Sequence, residues 1–209
     1  DFILETSLTD KKRIIRTINS DIFDIDIEGE FQLSKLFKLF SNAIAEAFPF
    51  VPMKKIENNQ ELVYDISIEA SHLNSVFSDL IIDEKAFFRG VLSTQDKVSK
   101  MILNIPKISF NDVETENIEL QLDNQNPLFN TFISIGKIQG DAYEISEFNT
   151  LGVKTGDTFN FRTEFFGGKE QNDVYELNYG LKLDNSNSII FLKPSTVGFD
   201  RFVWSINPS

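Results

Sequence analysis

The sequence predicts a mainly β fold: an elongated, curved antiparallel sheet with one amphipathic helix and one short helix. Three observations predict it. Apolar and polar residues alternate with period two along most of the chain. Short turn signals separate the alternating runs. Only two segments change to helical spacing.

The first alternation sets Ile25 and Ile27 against Asp26 and Glu28. A helix is expected next, over 34–48. Its apolar stripe is Leu36, Phe37, Phe40, Ala43, Ile44, Ala47 and Phe48, with Lys35, Lys38, Asn42 and Glu46 on the other side. Pro49 and Pro52 stop it. Met53–Glu61, rich in Lys, Asn and Glu, reads as a flexible linker. The main strand-rich region is expected over 62–209, beginning with Leu62, Tyr64, Ile66 and Ile68. A short helix interrupts it over 72–80, with Ser71 placed to cap it and Leu73, Val76, Phe77 and Leu80 as its stripe.

Alternation then resumes at Met101, Leu103 and Ile105; at Ile118, Leu120 and Leu122; at Ile133 and Ile135; at Phe159, Phe161 and Phe165; and at Leu177, Tyr179, Leu181 and Leu183. Asn126-Pro127, Gly156-Asp157, Gly167-Gly168 and 184–187 punctuate these runs. Connections this short make neighbouring strands antiparallel. Around Pro106 the apolar phase flips, from odd positions at Leu103 and Ile105 to even ones at Ile108 and Phe110. A bulge, bend or strand break is expected there.

Composition narrows the function. Net charge is −12 and the pI about 4.5, which argues against nucleic acid, because phosphate binding needs a basic surface. It also argues against electrostatic docking on anionic lipid. The absence of cysteine removes disulfides and thiolate metal sites. The 21 phenylalanines stand against 4 tyrosines and 1 tryptophan, so the large apolar area carries few polar handles and suits a dry interior or an apolar ligand. No signal peptide and no apolar run long enough to span a bilayer is present. The chain begins at Asp1, without Met, beside an alternating pattern, and is expected to be a piece of a longer protein.

No catalytic, metal or cofactor site is expected. The single histidine, His72, has only Ser71 and Ser75 near it in sequence and reads as a surface or capping residue. Asp21, Asp24 and Asp26 lack the ligand order and glycine turn of a calcium loop. A carboxylate pair of the hydrolase kind is a spatial arrangement that sequence neither favours nor removes. Two readings of the apolar stripes stay open: the closed core of a β-sandwich that serves as a structural or binding module, or the lining of a groove in a sheet that curls without closing. The groove candidates are Leu103, Ile105, Leu120, Leu122, Ile133, Ile135, Phe159, Phe161 and Phe165.

Several segments bear on that choice. Residues 27–48 read IEGEFQLSKLFKLFSNAIAEAF; 65–90 read DISIEASHLNSVFSDLIIDEKAFFRG; 161–169 read FRTEFFGGK, followed by VYELNYGLKLDNSNSIIFLKPSTV and the close FVWSIN. In order and wording they resemble the central-to-C-terminal region of TamB-like translocation-and-assembly proteins of Bacteroidetes, within the AsmA-like superfamily. The resemblance covers most of the chain and includes no catalytic signature. It implies a half-pipe (β-taco) sheet whose apolar lumen takes phospholipid or acyl chains toward the outer membrane. It also implies a periplasmic location for a parent protein anchored in the inner membrane, and an Omp85-type outer-membrane partner of that parent. The helices interrupt a simple half-pipe, and neither the anchor nor the partner-binding end falls within these residues.

Overall fold

A computed structural model describes residues 3–18, 20, 22–48, 50–57, 59–68, 80–82, 84–184 and 187–208. The expected short helix lies outside the described residues except for Leu80, which belongs to a strand; His72 lies outside them too. The strands are β1 Ile3–Thr9, β2 Lys12–Ile18, β3 Phe23–Glu30, β4 Glu61–Ile68, β5 Leu80–Ile82, β6 Ala86–Ser93, β7 Val98–Phe110, β8 Val113–Asp123, β9 Thr131–Gln139, β10 Glu144–Thr155, β11 Thr158–Gly167, β12 Asp173–Asp184, β13 Asn187–Leu192, β14 Ser195–Phe199 and β15 Phe202–Ile206. All belong to one antiparallel sheet. Its order follows the chain from β1 to β15, with β5 and β13 off the main path. The sheet is open, with β1 and β15 at its two ends, and its curvature matches the expected class.

One helix, α1 Leu36–Ala47, follows a 3₁₀ turn at Leu33–Lys35. Leu39, Ala43 and Ala47 are its most deeply buried facing residues, four apart, and Leu36, Phe40 and Phe48 pack beside them. The expected stripe was therefore too wide. Phe37 is 75% exposed, with the Lys54 ammonium 4.5 Å from its ring centre, and Ile44 is also exposed. Leu39, absent from the expected stripe, is central to it. The linker reading fails in part as well. Asn42 donates to the Lys54 carbonyl and accepts from the Lys54 amide, both at 2.7 Å, and Ile56 packs into the core.

The core under α1 joins Ile15, Ile27, Leu62, Tyr64, Leu92, Met101 and Leu122, contributed by β2, β3, β4, β6, β7 and β8. Phe40 sets its ring edge-on to Tyr64 at 5.0 Å and lies 5.6 Å from Phe88. The opposite face of these strands is charged. Arg16 pairs with Asp26 and Glu28, Lys12 with Glu28, and Lys100 with Asp123. Such alternation is what one packed and one solvated face require.

At Pro106 the strand neither breaks nor slips: β7 runs through it in constant register with β8. The irregularity spans four strands. Pro106, Asn117, Gly136 and Glu147 sit in line, each omitted from the ladder pairing of its neighbours. Asn117 and Glu147 have φ of 55° and 51°. Ala86 touches both Ile105 and Ile108, which a strictly alternating strand would send to opposite faces. The flipped phase is thus accommodated by a crease shared between neighbouring strands, starting where proline has no N–H to give.

Candidate functional site

Cross-strand register places all nine groove candidates on one face. One row runs Ile27, Tyr64, Gly90, Met101, Leu122, Thr131, Gly152, Phe161, Tyr179. A second holds Leu103, Leu120, Ile133, Thr150, Thr163 and Leu177. A third holds Ile105, Ile118, Ile135 and Phe148. Phe165 joins this third row, 5.8 Å from Phe148 and stacked on Tyr175 at 4.3 Å. Phe159 pairs with Leu181.

The helix covers only part of this face. Beyond β8, among the described residues, Phe159, Phe161 and Leu181 cluster with their strand neighbour Tyr179, and no residue of α1 joins them. Most side chains of the second and third rows are half-buried, whereas the candidates Leu122, Phe159 and Phe161 are sealed. The whole chain exposes 13046 Å², about a third more than the ~9,900 Å² expected of a compact monomer of this mass. The face is also less uniform than the alternation suggested. Thr131, Gly152, Thr150 and Thr163 make a strip of small side chains, and the hydroxyls of Thr150 and Thr163 bond each other at 2.8 Å. Phe148, Leu177 and Tyr179 complete the surface. Phe148 was not read as part of a strand, because Glu144-Ile145-Ser146-Glu147 before it does not alternate cleanly.

A polar cleft opens at one end of this face, where α1 ends over the β6–β7, β8–β9 and β10–β11 connections. It encloses about 540 Å³ among residues that include Ala43, Glu46, Ala47, Lys97, Ser99, Leu122, Asn124 and Lys154. Asn124 organises it. Its amide donates to the Glu46 carboxylate at 2.8 Å and to the Lys97 carbonyl at 2.9 Å, and its oxygen accepts from the Ser99 amide at 2.9 Å. Burial pushes the Glu46 carboxyl above the usual carboxylate range; Asn124, Lys154 and Ser99 pull it back. Lys154 lies over the Phe159 ring, 5.0 Å from its centre.

Among the described residues, no three His, Cys, Asp or Glu side chains gather as a metal site, and no helix is long and apolar enough to cross a membrane. No protein-family model, curated protein or solved structure matches the chain.

Proposed function

We propose that this chain is a non-catalytic segment of a periplasmic envelope protein, in which the apolar face of an open sheet takes acyl chains during phospholipid transport to, or protein assembly in, the outer membrane. One observation carries the reading: among the described residues, neither the helix nor a second sheet packs on the apolar face beyond β8. Large uncovered apolar surface is rare unless it is used. The inner-membrane anchor and the Omp85-type partner belong to the parent protein and rest on the resemblance of the quoted segments.

The test is extraction of the purified, folded chain followed by mass spectrometry of the extract, together with titration by a fluorescent fatty acid. Co-purified phospholipid and saturable fatty-acid binding are expected. An empty extract from folded protein that also leaves the probe unbound overturns the reading. That outcome would favour a second reading, a purely structural module, for which the filling of the β2–β8 face by α1 already speaks.

A further inference from the structure

We propose that the cleft at the end of α1 is a head-group site for an amine-bearing phospholipid, its phosphate on Lys154 and Lys97, its ammonium on Glu46, and its acyl chains on the adjoining apolar face. The inference rests on the groove reading and adds to it a choice of lipid.

The cleft lies at the end of the apolar face. Leu122 belongs to both. Lys154 pairs across strands with Phe159 and covers its ring, so it is a cation set on the apolar face itself. Lys97 and Lys154 form no ion pair among the described residues, although the chain carries 32 acidic groups against 20 basic ones. At the end of an apolar trough, Lys97 and Lys154 offer point charges to a phosphate.

The anionic half of the site lies within reach of the Lys154 charge, which draws the Glu46 carboxyl down. Glu46 is part-buried in the last turn of α1, where the helix dipole already disfavours a negative charge. It has an amide donor but no cation within ion-pair distance. Asp123 is held by Lys100 at 3.4 Å, which leaves Glu46 as the available carboxylate. Ser99, 6% exposed, lines the same cleft beside Glu46, and its buried hydroxyl closes no hydrogen bond of good geometry. A buried hydroxyl left in this state costs stability unless something bonds it, and a ligand ammonium or phosphate oxygen would do so. A site with lysines alone would take any anionic lipid. Glu46 and Ser99 are what select a head group that also carries N–H donors.

The experiment uses the full chain with short-chain phosphatidylethanolamine, short-chain phosphatidylglycerol and an uncharged alkyl probe, below their micellar concentrations. The parent should bind phosphatidylethanolamine about tenfold more tightly than phosphatidylglycerol, the scale of one charge-assisted bond. Lys154→Ala should weaken both phospholipids and leave the alkyl probe unchanged. Glu46→Gln, which keeps a hydrogen-bond acceptor for Asn124, should weaken phosphatidylethanolamine alone. Equal binding of all three ligands, unaffected by either substitution, overturns the head-group site and leaves the groove standing. Binding of none of them by folded protein overturns the groove and this site together.

Discussion

The ring of Phe161 lies over Gly152. The two are cross-strand partners, and a Cβ at 152 would meet that ring at 2.7 Å. Tyr64 leans over its partner Gly90 in the same way, and Phe191 over Gly180. In each pair the missing side chain leaves a seat that a neighbouring ring fills, so the ring lies along the sheet. Gly152→Val should displace Phe161 and destabilise the fold by about 1–3 kcal/mol. Urea unfolding measures this; an unchanged midpoint would show that the ring has room to move.

The helix offers a contrast between two neighbouring positions. Leu39 is 4% exposed and belongs to the core, whereas Phe37 is 75% exposed. Leu39→Ala should cost about 2–5 kcal/mol. Phe37→Ala should stay within about 0.5 kcal/mol, despite removing the larger side chain. The reverse order in denaturant midpoints would mean that α1 presents its other side to the sheet.

How much of this was legible depended on how local each signal was. Every alternating run named from sequence falls in a strand, because one face of an antiparallel sheet must be apolar wherever something covers it. Gly156 was a readable turn, and it takes φ of 60° in a two-residue hairpin. Asp10-Lys11, Asn111-Asp112 and Asp200-Arg201 make equally short turns, yet they contain no glycine or proline and passed unnoticed. Aspartate and asparagine tolerate positive φ well enough to do glycine's work there. The stripe of α1 was misjudged because Phe37 and Ile44 are apolar without being buried. The sequence shows hydrophobicity, while burial depends on where the sheet lies. The crease at Pro106 was visible in phase, but its spread to Asn117, Gly136 and Glu147 is a matter of register between strands. The cleft was invisible altogether: Glu46, Ser99, Asn124 and Lys154 come from four separate stretches of chain.

Glu46 predicts a dependence on pH. Burial raises its carboxyl above the ordinary glutamate range, so over the window just above that range the folded chain holds more protons than the unfolded one. Stability then falls as pH rises through the window. The contribution is full below the unfolded pKa and is lost once the folded group ionises. Glu46→Gln removes this dependence. Relative to the unsubstituted chain, the variant should therefore gain stability as pH rises through the window above the ordinary glutamate range, and the gain should level off once the folded group ionises. Urea midpoints at a series of pH values measure it, and a difference that stays constant would show that the cleft does not penalise the charge.

At the far end of the sheet, Tyr143 donates its hydroxyl to the Asp173 carboxylate at 2.9 Å and lies 3.0 Å from the Tyr175 hydroxyl. Desolvation, then Tyr175 and Asp173, raise the Tyr143 hydroxyl well above its usual range. Asp173 is buried, so losing this donor leaves a carboxylate oxygen poorly satisfied. Tyr143→Phe should cost about 1–3 kcal/mol. Asp173→Asn, which keeps an acceptor and sheds the charge, should cost less. A Tyr143→Phe chain as stable as the unsubstituted one would mean that ring packing over Gly167, not the hydrogen bond, holds this corner.

A carboxylate placed on the apolar face separates guest binding from packing. Phe161→Asp should abolish lipid loading if the face is a groove, because acyl chains will not cover an unpaired charge. Phe161 is nearly sealed, however, at 9% exposure, and a variant that merely unfolds assigns it to an ordinary core. Ile133→Asp carries less of that risk. Ile133 is half-buried, sits between Leu120 and Thr150 in the second row, and takes no part in the cluster under α1. A folded Ile133→Asp chain, with native near-ultraviolet circular dichroism and no bound fatty acid, is the expected result. The same folded chain loading lipid as the parent does would remove the groove and leave these residues to the sheet alone.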